Sequence, residues 1–429
     1  MSTIPSLALI PSGVKASKVY SVLPTNGTGD FDFTRSGNAT RVNSEGLIEL
    51  VTTNVPRLNY PLIDGVVSGC PSLLLEPSRT NLVTFSEQFD NAGWTKQGLT
   101  ITANSAVSPD GYTNADLLDD GTSASTQHWF FQGTTLANST TYTLSLYAKY
   151  VSRQNMIINI FNGASSQYVN YNIQNGTIVG STGDVTASIT SVGNGWYRLT
   201  YTRTMAASGG SNHRIGLADD TGSETYTGSN KQTLIYGCQI EAGTYATSYI
   251  PTTTTTATRS AETCNNAGDV NTFNDSEGVL FAEISALAND LTVRCISISS
   301  GNYIDSVQLR YWSSSNTLEY RVVDGSVIVV FLRPVINNIV ESNKILVKYK
   351  SNDCSIWVNG FKIATDTSAT MPSGLSELAF DDGNGTTPFY GNTKQIQYFP
   401  TALNDSDLET LTSWDSFSDM ANGQLYSVE

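Results

Sequence analysis

The sequence predicts an all-β fold in which two antiparallel β-sandwich domains of the jelly-roll type follow a short N-terminal region. Charged residues make up only 14% of the 429 residues, whereas the chain contains 21 tyrosines and 35 glycines. Strand-forming segments recur along most of the chain, and each is bounded by Gly, Asn or Ser. Only one segment, "NDSDLETLTSW", carries helix signals. This profile is typical of short strands joined by polar turns.

Charge and apolar content exclude several kinds of partner. The 38 acidic and 23 basic side chains give a net charge of -15, which repels phosphate backbones and anionic lipid head groups. We therefore expect no nucleic-acid partner. No apolar stretch approaches the roughly 20 residues that span a bilayer, and the first residues lack the basic start of a signal peptide. The five cysteines contain no C-x-x-C pair, which favours reduced thiols over a zinc site.

The middle of the chain reads as the first sandwich. In "TYTLSLYAKYV" the residues Tyr142, Leu144 and Leu146 alternate on one face, and "NMIINIF" and "GNGWYRLTYTRTM" follow at short intervals. Regularly spaced strands with turn residues between them are typical of antiparallel sandwiches.

The last third of the chain reads as the second sandwich. Segments such as "EGVLFAEISAL", "SVQLRYW" and "TLEYRVVDGSVIVVF" repeat the strand pattern. In "SIWVNGFKI", Asn359 and Gly360 tolerate the positive φ of a type I′ turn, so we expect a tight hairpin there. Asn404 or Asp405 caps the one predicted helix, which presents Leu408 and Leu411 as its apolar edge.

Two breaks divide the chain. In "SYIPTTTTTATRSAE", Pro251 cannot donate a ladder hydrogen bond, and the threonines that follow have no apolar partner face, so a tether between modules is expected. A second break lies near residue 78, between two prolines and a new strand-rich block. The predicted division lists an N-terminal attachment region 1–78, a first sandwich 79–255, a Thr-rich linker 256–269, a second sandwich 270–415 and a tail 416–429.

Several separated motifs carry a family resemblance. The segments "FDFTRSGNATRVNSEGLIEL", "NVPRLNYP" and "CPSLLLEPSRTNLVTFSEQFDNAGW" occur in this order, and "QIEAGTYATSYIPTTTT" follows. Over roughly residues 5–262 they resemble a family of bacteriophage virion proteins, in which a short N-terminal region precedes a jelly roll like that of carbohydrate-binding modules. Through "CSIWVNGFKIATD" and "FYGNTKQIQYFPTALNDSDLETL" the third region resembles laminin-G and concanavalin-like sandwiches.

Aromatic side chains are the candidates for a carbohydrate-binding site, because sugars stack on aromatic faces. Trp129 lies beside His128 in "STQHWFFQG", which reads as a polar loop and predicts an exposed ring. Trp94, in "DNAGW", and Tyr112 complete the candidate set. Core packing is the alternative for each ring, and for Trp94 it is the favoured one.

Calcium is the one cofactor that the sequence suggests. The resemblance implies a structural calcium near the first and last strands of the jelly roll, where Glu87 and Glu241 stand. Calcium takes six to eight oxygen ligands, and acidic clusters such as "DLLDD" and "FDDGNGT" permit it. Solvated acidic turns are the competing interpretation of both clusters.

Catalysis finds little support in the sequence. A serine triad needs a histidine base, but His213 stands in an apparent polar turn without a G-x-S-x-G motif. A glycosidase needs two facing carboxylates, and "FAEISAL" offers Glu283 alone. We therefore expect no enzymatic activity.

The resemblance implies a structural protein of the phage particle, in a head or tail fibre or a surface decoration. It would be assembled in the host cytoplasm and located in the virion, where its N-terminal region contacts other virion proteins. The sandwiches would serve host adhesion by binding bacterial surface glycans. A homo-oligomer, as a trimer, is expected by the same resemblance. The alternative function is a polysaccharide-degrading enzyme, either a depolymerase or a glycosidase.

Overall fold

The computed structural model describes residues 4–207, 209–416 and 419, although for residues 209–212 only the backbone belongs to this description. Of the predicted tail, only residues 416 and 419 therefore fall within the described part. The predicted all-β class is confirmed, since antiparallel sheets account for almost all of the regular structure. The described residues contain a single α-helix, α1 (Asp405–Thr412). No described helix has the length and apolar character that a membrane span requires.

The strands are numbered in chain order. The N-terminal region contains β1 (Leu7–Leu9), β2 (Val14–Lys15), β3 (Lys18–Val19), β4 (Phe31–Thr34), β5 (Ala39–Val42), β6 (Ile48–Val51), β7 (Arg57–Asn59), β8 (Leu62–Ile63), β9 (Val66–Val67) and β10 (Ser72–Leu75). The middle contains β11 (Arg79–Asn81), β12 (Thr95–Gln97), β13 (Thr100–Val107), β14 (Thr113–Asp119), β15 (Thr126–Leu136), β16 (Thr141–Tyr150), β17 (Asn155–Phe161), β18 (Ser166–Asn172), β19 (Thr177–Ser181), β20 (Thr186–Gly193), β21 (Trp196–Thr204), β22 (Gly209–Ala218), β23 (Thr225–Tyr226) and β24 (Gln232–Ala242). The remainder contains β25 (Ala257–Arg259), β26 (Thr263–Asn265), β27 (Glu277–Ala286), β28 (Arg294–Ser299), β29 (Ser306–Tyr311), β30 (Leu318–Asp324), β31 (Val327–Leu332), β32 (Asn343–Lys350), β33 (Cys354–Val358), β34 (Phe361–Asp366), β35 (Glu377–Ala379) and β36 (Gly391–Phe399).

The first sandwich consists of two sheets from the middle of the chain. One has the order β12-β15-β22-β17-β18-β19, with β23 beside β15, and the other has the order β13-β14-β24-β16-β21-β20. The predicted alternation holds in β16, where Leu144 and Leu146 are fully buried between the sheets. Apolar residues at every second position thus give each sheet one face toward the core.

The second sandwich packs an eight-stranded sheet against a five-stranded one. The larger sheet has the order β34-β33-β32-β27-β36-β10-β7, with β1 also paired to β36, and the smaller has the order β31-β30-β29-β28-β35. The predicted hairpin is present, since Asn359 and Gly360 have φ of 49° and 89° between β33 and β34. Helix α1 covers part of the outer face of the larger sheet through the buried Leu408. Its cap is also as predicted, because the Asn404 side chain accepts a hydrogen bond from the Asp407 amide.

The N-terminal region is part of the second sandwich, whereas the predicted division of the chain listed residues 1–78 as a region of their own. Leu7 of β1 pairs with Tyr398, and Leu73 of β10 pairs with Thr393, both on β36. All three residues of β1 are buried. The strands are too short to show a clear period, and their partners lie near the other end of the chain, so local pattern could not reveal the pairing.

The Thr-rich segment is also paired, which corrects the prediction of a free linker over 256–269. Strand β25 lies antiparallel to β11, and β26 lies antiparallel to β4. The chain therefore leaves the second sandwich along β11 and returns beside it along β25. The first sandwich is an insertion between two parts of the second.

A buried ion cluster holds together the place where the chain leaves the second sandwich and returns to it. Glu262 forms an ion pair of 2.8 Å with Arg35 and a second one with Arg57, while Glu76 lies 2.7 Å from Arg57 and 3.0 Å from Arg259. The exposed fraction of each of the five residues is 3% or less. Burial alone would raise the pKa of Glu76, but the charges of Arg259 and Arg57 and the hydrogen bonds from Ser248 lower that pKa to about 2. The Thr-rich segment thus contains two charged residues, Arg259 and Glu262, whose ion-pair partners lie elsewhere in the chain.

Candidate functional site

The aromatic residues that the sequence offered for sugar binding do not form one site. Trp94 is 1% exposed and packs between Phe89 and Phe130 in the first core, and its indole N–H donates to the Phe85 carbonyl at 3.0 Å. His128 is also buried, where it stacks on Tyr226 with 4.1 Å between ring centroids. Trp94 is therefore a core residue, which is the interpretation that the sequence favoured, whereas the burial of His128 argues against its expected place in a binding site.

Trp129 lies in the middle of β15, so the prediction of an exposed ring in a loop is also wrong. Its side chain points to the opposite face from its buried neighbour Phe130, yet it is only 3% exposed. The guanidinium of Arg214 covers the ring at 3.9 Å, and the indole N–H donates to Gln97 at 3.0 Å. Tyr112 is 73% exposed, but it belongs to the turn between β13 and β14 of the other sheet.

The two predicted calcium ligands have separate protein partners. Glu241 is fully buried and accepts hydrogen bonds from Gln239 and from the amide and hydroxyl groups of Thr247. Glu87 instead accepts a hydrogen bond of 3.1 Å from Tyr236. Tyr236 precedes Glu241 on β24 by five positions, or about 17 Å of strand. The pair does not converge on one ion, and no group of three potential metal ligands occurs among the described residues.

His213 also differs from its prediction. It lies within β22 and is fully buried, whereas the sequence suggested a polar turn. Burial lowers the pKa of His213 to about 3, so this imidazole is neutral under ordinary conditions.

A groove that the sequence did not reveal crosses the outer face of the larger sheet of the second sandwich. Two adjoining depressions, of about 560 and 280 Å³, share Tyr60 and Lys394 in their lining. We call them together the Glu283 groove. Each depression is comparable in size with a small-ligand site or slightly below it. The floor is formed by residues of β27, β32 and β36, namely Glu283, Ser285, Lys344, Asn392, Lys394 and Gln395.

Strand register creates the polar floor. Glu283 on β27 lies opposite Lys344 of β32 on one side and opposite Gln395 of β36 on the other. Its neighbours in the strand, Ala282 and Ile284, face the core. Since side chains alternate between the faces of a strand, the three polar residues share the outer face.

Hydrogen bonds hold the Glu283 carboxylate in place. Gln395 donates to it at 2.9 Å, Ser342 donates at 3.3 Å, and the Lys394 ammonium lies 3.5 Å away. Gln397 then donates to the Gln395 amide oxygen at 2.9 Å. The exposed fraction of Glu283 is only 6%, so its carboxylate is enclosed by these partners in an ordered row of polar groups.

Aromatic residues stand at the sides of the floor. Tyr60 comes from the N-terminal region, and Trp414 follows α1. The Lys344 ammonium lies 4.3 Å from the centre of the Trp414 ring and donates to the Ser413 carbonyl at 3.0 Å. The groove therefore combines aromatic surfaces with fixed hydrogen-bonding groups, and both contact types suit a ligand rich in hydroxyls.

The acids of the groove are unevenly placed. Glu283 is the acid of the floor, whereas the other two lining acids, Asp415 and Asp419, are exposed at the rim. In the sequence, Glu283 is an isolated acid in "FAEISAL". The alternation of polar residues with buried ones in "NTKQIQYF" was the available signal, but it does not tell which strand lies beside which.

Comparisons with known proteins give only distant structural similarity. No family model matches the chain, and no curated protein matches it. One similar solved structure is the CBM40 of the Ruminococcus gnavus IT-sialidase bound to alpha2,3 sialyllactose, with 18% identity, a TM-score of 0.28, and coverage of 33% of this chain and 84% of that one. Another is domain 4 of AbnA, an arabinanase of Geobacillus stearothermophilus in complex with arabinotriose, with 12% identity, a TM-score of 0.29, and coverage of 39% and 82%.

A third is the pair of LG4-5 domains of the mouse laminin alpha1 chain, with 9% identity, a TM-score of 0.22, and coverage of 66% of this chain and 90% of that one. These neighbours are thus a carbohydrate-binding module, one domain of an arabinanase and a pair of laminin domains. At such TM-scores they carry no argument about the ligand or activity of this chain.

Proposed function

We propose that this protein binds glycans without cleaving them and that the Glu283 groove is the binding site. The supporting observation is the combination of an ordered polar floor, formed by Glu283, Gln395 and Lys344, with the aromatic side chains of Tyr60 and Trp414 beside it. Sugar hydroxyls both donate and accept hydrogen bonds, and the floor offers a carboxylate, amides and ammonium groups. The aromatic rings offer the apolar contact that a sugar face requires.

We further propose that the protein is a structural component of a bacteriophage particle, in a fibre or a surface decoration, that displays this groove for host adhesion. This part of the proposal is supported by the resemblance of residues 5–262 to virion proteins. The partners are then other virion proteins and bacterial surface glycans, and the oligomer is a trimer of identical chains. The buried crossing between the sandwiches would hold the groove in a fixed orientation relative to the first sandwich.

Glycan binding is tested by comparing matched tryptophan variants on an array of bacterial surface polysaccharides. Trp414→Ala removes an aromatic side of the groove, and we expect at least a tenfold loss of affinity, which corresponds to about 1.4 kcal/mol. Trp312→Ala is the control, because Trp312 is also partly buried and lies under an arginine, Arg333, at 3.8 Å, but outside the groove. Equal binding by wild type and Trp414→Ala would contradict the assignment of the groove.

The same preparations distinguish binding from hydrolysis. Glycosidases use two carboxylates across the scissile bond, and the groove floor presents Glu283. We expect no release of reducing sugar from any polysaccharide that binds. Release that is abolished in Glu283→Gln, with binding retained, would replace the adhesion proposal by a polysaccharide-degrading enzyme.

Attachment to the particle needs surface variants, because deletion of residues 1–78 would remove β1, β7 and β10 from the second sandwich. The N-terminal region exposes Leu50 and Val66, at 53% and 69%. We expect Leu50→Asp combined with Val66→Asp to reduce incorporation into particles while the fold is kept. Val327→Asp, at a 61% exposed position of the second sandwich, is the control. Normal incorporation of the double variant would contradict attachment through this surface.

A further inference from the structure

A third depression adjoins the Glu283 groove where the two sandwiches and the N-terminal region meet. Its volume is about 230 Å³, and it shares Val42, Asn59 and Asn392 with the smaller depression of the groove. The first sandwich contributes Arg198, on β21, and the N-terminal region contributes Arg41. We call this depression the junction cavity. A ligand in the groove could therefore extend into it without leaving the surface.

Arg198 has unused hydrogen-bonding capacity, whereas the other arginine of the junction cavity, Arg41, pairs with Glu49. Nη2 of Arg198 donates to the Ser145 hydroxyl at 2.9 Å and to the Thr247 carbonyl at 2.7 Å, which fixes the guanidinium. The Nε–H of the same side chain is buried and has no partner among the described residues. Arg198 is half-buried and forms no ion pair within the described part of the chain, and its guanidinium lies 5.5 Å from the centre of the Tyr147 ring.

The carboxylate and amide oxygens around the junction cavity are already occupied. Glu76, the one acid in its lining, accepts from the Ser248 amide and hydroxyl and lies within ion-pair distance of Arg57 and Arg259. The amide oxygens of Asn59 and Asn392 accept from the Val42 amide and the Ser72 hydroxyl.

Donors, by contrast, remain available. No acceptor among the described residues takes the Nδ2 hydrogens of Asn59 or Asn392. The charges behind the cavity wall, three arginines against two glutamates in the buried ion cluster, also leave a local positive excess. The cavity is thus rich in donors and poor in free acceptors, although the whole chain carries a net charge of -15.

We propose that the junction cavity binds the carboxylate of an acidic sugar, so that the ligand of the groove is a glycan containing uronic acid residues. Arginine pairs with carboxylates through strong charge-assisted hydrogen bonds. The amides of Asn59 and Asn392 would donate to ring hydroxyls, and Val42, Ile48 and Leu287 give the apolar contact that a sugar ring needs. This inference rests on the proposed function, because it extends the same groove.

Calorimetric titration with glucuronate and galacturonate, compared with glucose and galactose, tests the inference directly. We expect both uronates to bind wild-type protein at least tenfold more tightly than the neutral sugars. Arg198→Gln should remove this preference, and Asn392→Ala should weaken uronate binding severalfold while Arg198 stays in place. Arg214→Gln is the matched control, since Arg214 stacks on Trp129 in the other sheet of the same sandwich. Melting curves of all variants show whether each one is folded.

Three results would overturn the inference. The first is equal binding of uronates and neutral sugars by wild type, and the second is an unchanged uronate preference in Arg198→Gln. The third is acetate binding as tight as uronate binding, which would indicate a simple anion site. On the polysaccharide array, the protein could bind neutral chains as well as acidic ones and lose this binding in Trp414→Ala. In that case the proposed function stands and this inference fails.

Discussion

The two sandwiches obtain their strands in different ways. Both sheets of the first sandwich come from one continuous part of the chain, β12 to β24, whereas the larger sheet of the second also requires β1, β7 and β10 from the N-terminal region. The first can close within that part of the chain, although it pairs strands as distant as β14 and β24. The second can close only after both ends of the chain meet, and it is this meeting that forms the Glu283 groove. The groove is thus a property of the assembled chain and of neither end alone.

The largest loss of stability is expected from a substitution at the place where the two sandwiches join. Glu262→Gln removes the carboxylate that pairs with Arg35 and Arg57, so it leaves two buried guanidinium groups partly uncompensated. Breaking a buried ion pair in this way costs about 3–5 kcal/mol of unfolding free energy. Calorimetry should show a large fall in the melting temperature of the second sandwich. Glu277→Gln, which breaks only the partly exposed pair with Lys350, should change little, and equal effects of both variants would argue against a structural role for the cluster.

The next largest loss of stability concerns the N-terminal strands that belong to the second sandwich. Leu73, on β10, is fully buried in the second core, and Leu146, on β16, is fully buried in the first. Each change to Ala should cost about 2–5 kcal/mol through lost burial and the cavity left behind. We expect Leu73→Ala to lower the transition of the second sandwich and Leu146→Ala to lower that of the first. A Leu73→Ala variant with an unchanged second transition would show that the N-terminal strands contribute nothing to that body.

A fall in pH should weaken the buried ion cluster between the sandwiches before it unfolds either core. The pKa of Glu76 is lowered to about 2 in the folded protein, although burial opposes this, because the charges of Arg259 and Arg57 favour the carboxylate. A lowered folded pKa means that the stabilisation is complete above the ordinary glutamate pKa and is lost as the pH falls from about 4.5 toward 2. Hydrogen exchange of β25 and β26 should rise over this range. Glu76→Gln should lose that pH dependence, and a wild-type protein whose exchange is flat across the range would contradict the assignment.

The smallest change in stability is expected from a substitution inside the first sandwich. Burial raises the pKa of Glu87, and the single Tyr236 hydroxyl lies 3.1 Å from Glu87 and 3.0 Å from Asp110, so it can donate to only one carboxylate. A carboxyl whose pKa is raised by folding destabilises the protein as the pH rises above its unfolded pKa. Glu87→Gln should therefore raise the melting temperature at pH 7 by a few degrees, a shift of roughly 2–4 °C per kcal/mol for a domain of this size. The gain should disappear below pH 4.5. A gain that persists at low pH would indicate a cause other than ionisation.

Local features were predictable and long-range ones were not. The Asn359–Gly360 hairpin, the Asn404 cap and the strand alternation of β16 all depend on neighbouring residues, and the structure confirms them. Trp129 was misjudged because "STQHW" is polar, yet the segment enters a strand in which Arg214 from another strand covers the ring. Register between distant strands decides which side chains meet, and one sequence does not encode that register in a readable pattern.

The site was missed for the same reason. Glu283, Gln395 and Tyr60 come from three distant parts of the chain, and each is unremarkable in its own segment. The Thr-rich segment illustrates the opposite error. Its polar sequence gave no sign that Arg259 and Glu262 are almost fully buried. A charged residue inside an otherwise neutral polar segment is a useful signal of a buried partner, but it does not identify that partner.

The antiparallel contact between β11 and β25 places the entry and the exit of the first sandwich side by side, about 5 Å apart. A module that starts and finishes at one point can be exchanged for another without stretching its host. Grafting an unrelated sandwich between Asn81 and Ala257 would thus keep every strand of the larger sheet of the second sandwich, while it replaces the first sandwich together with Arg198 and Ser248.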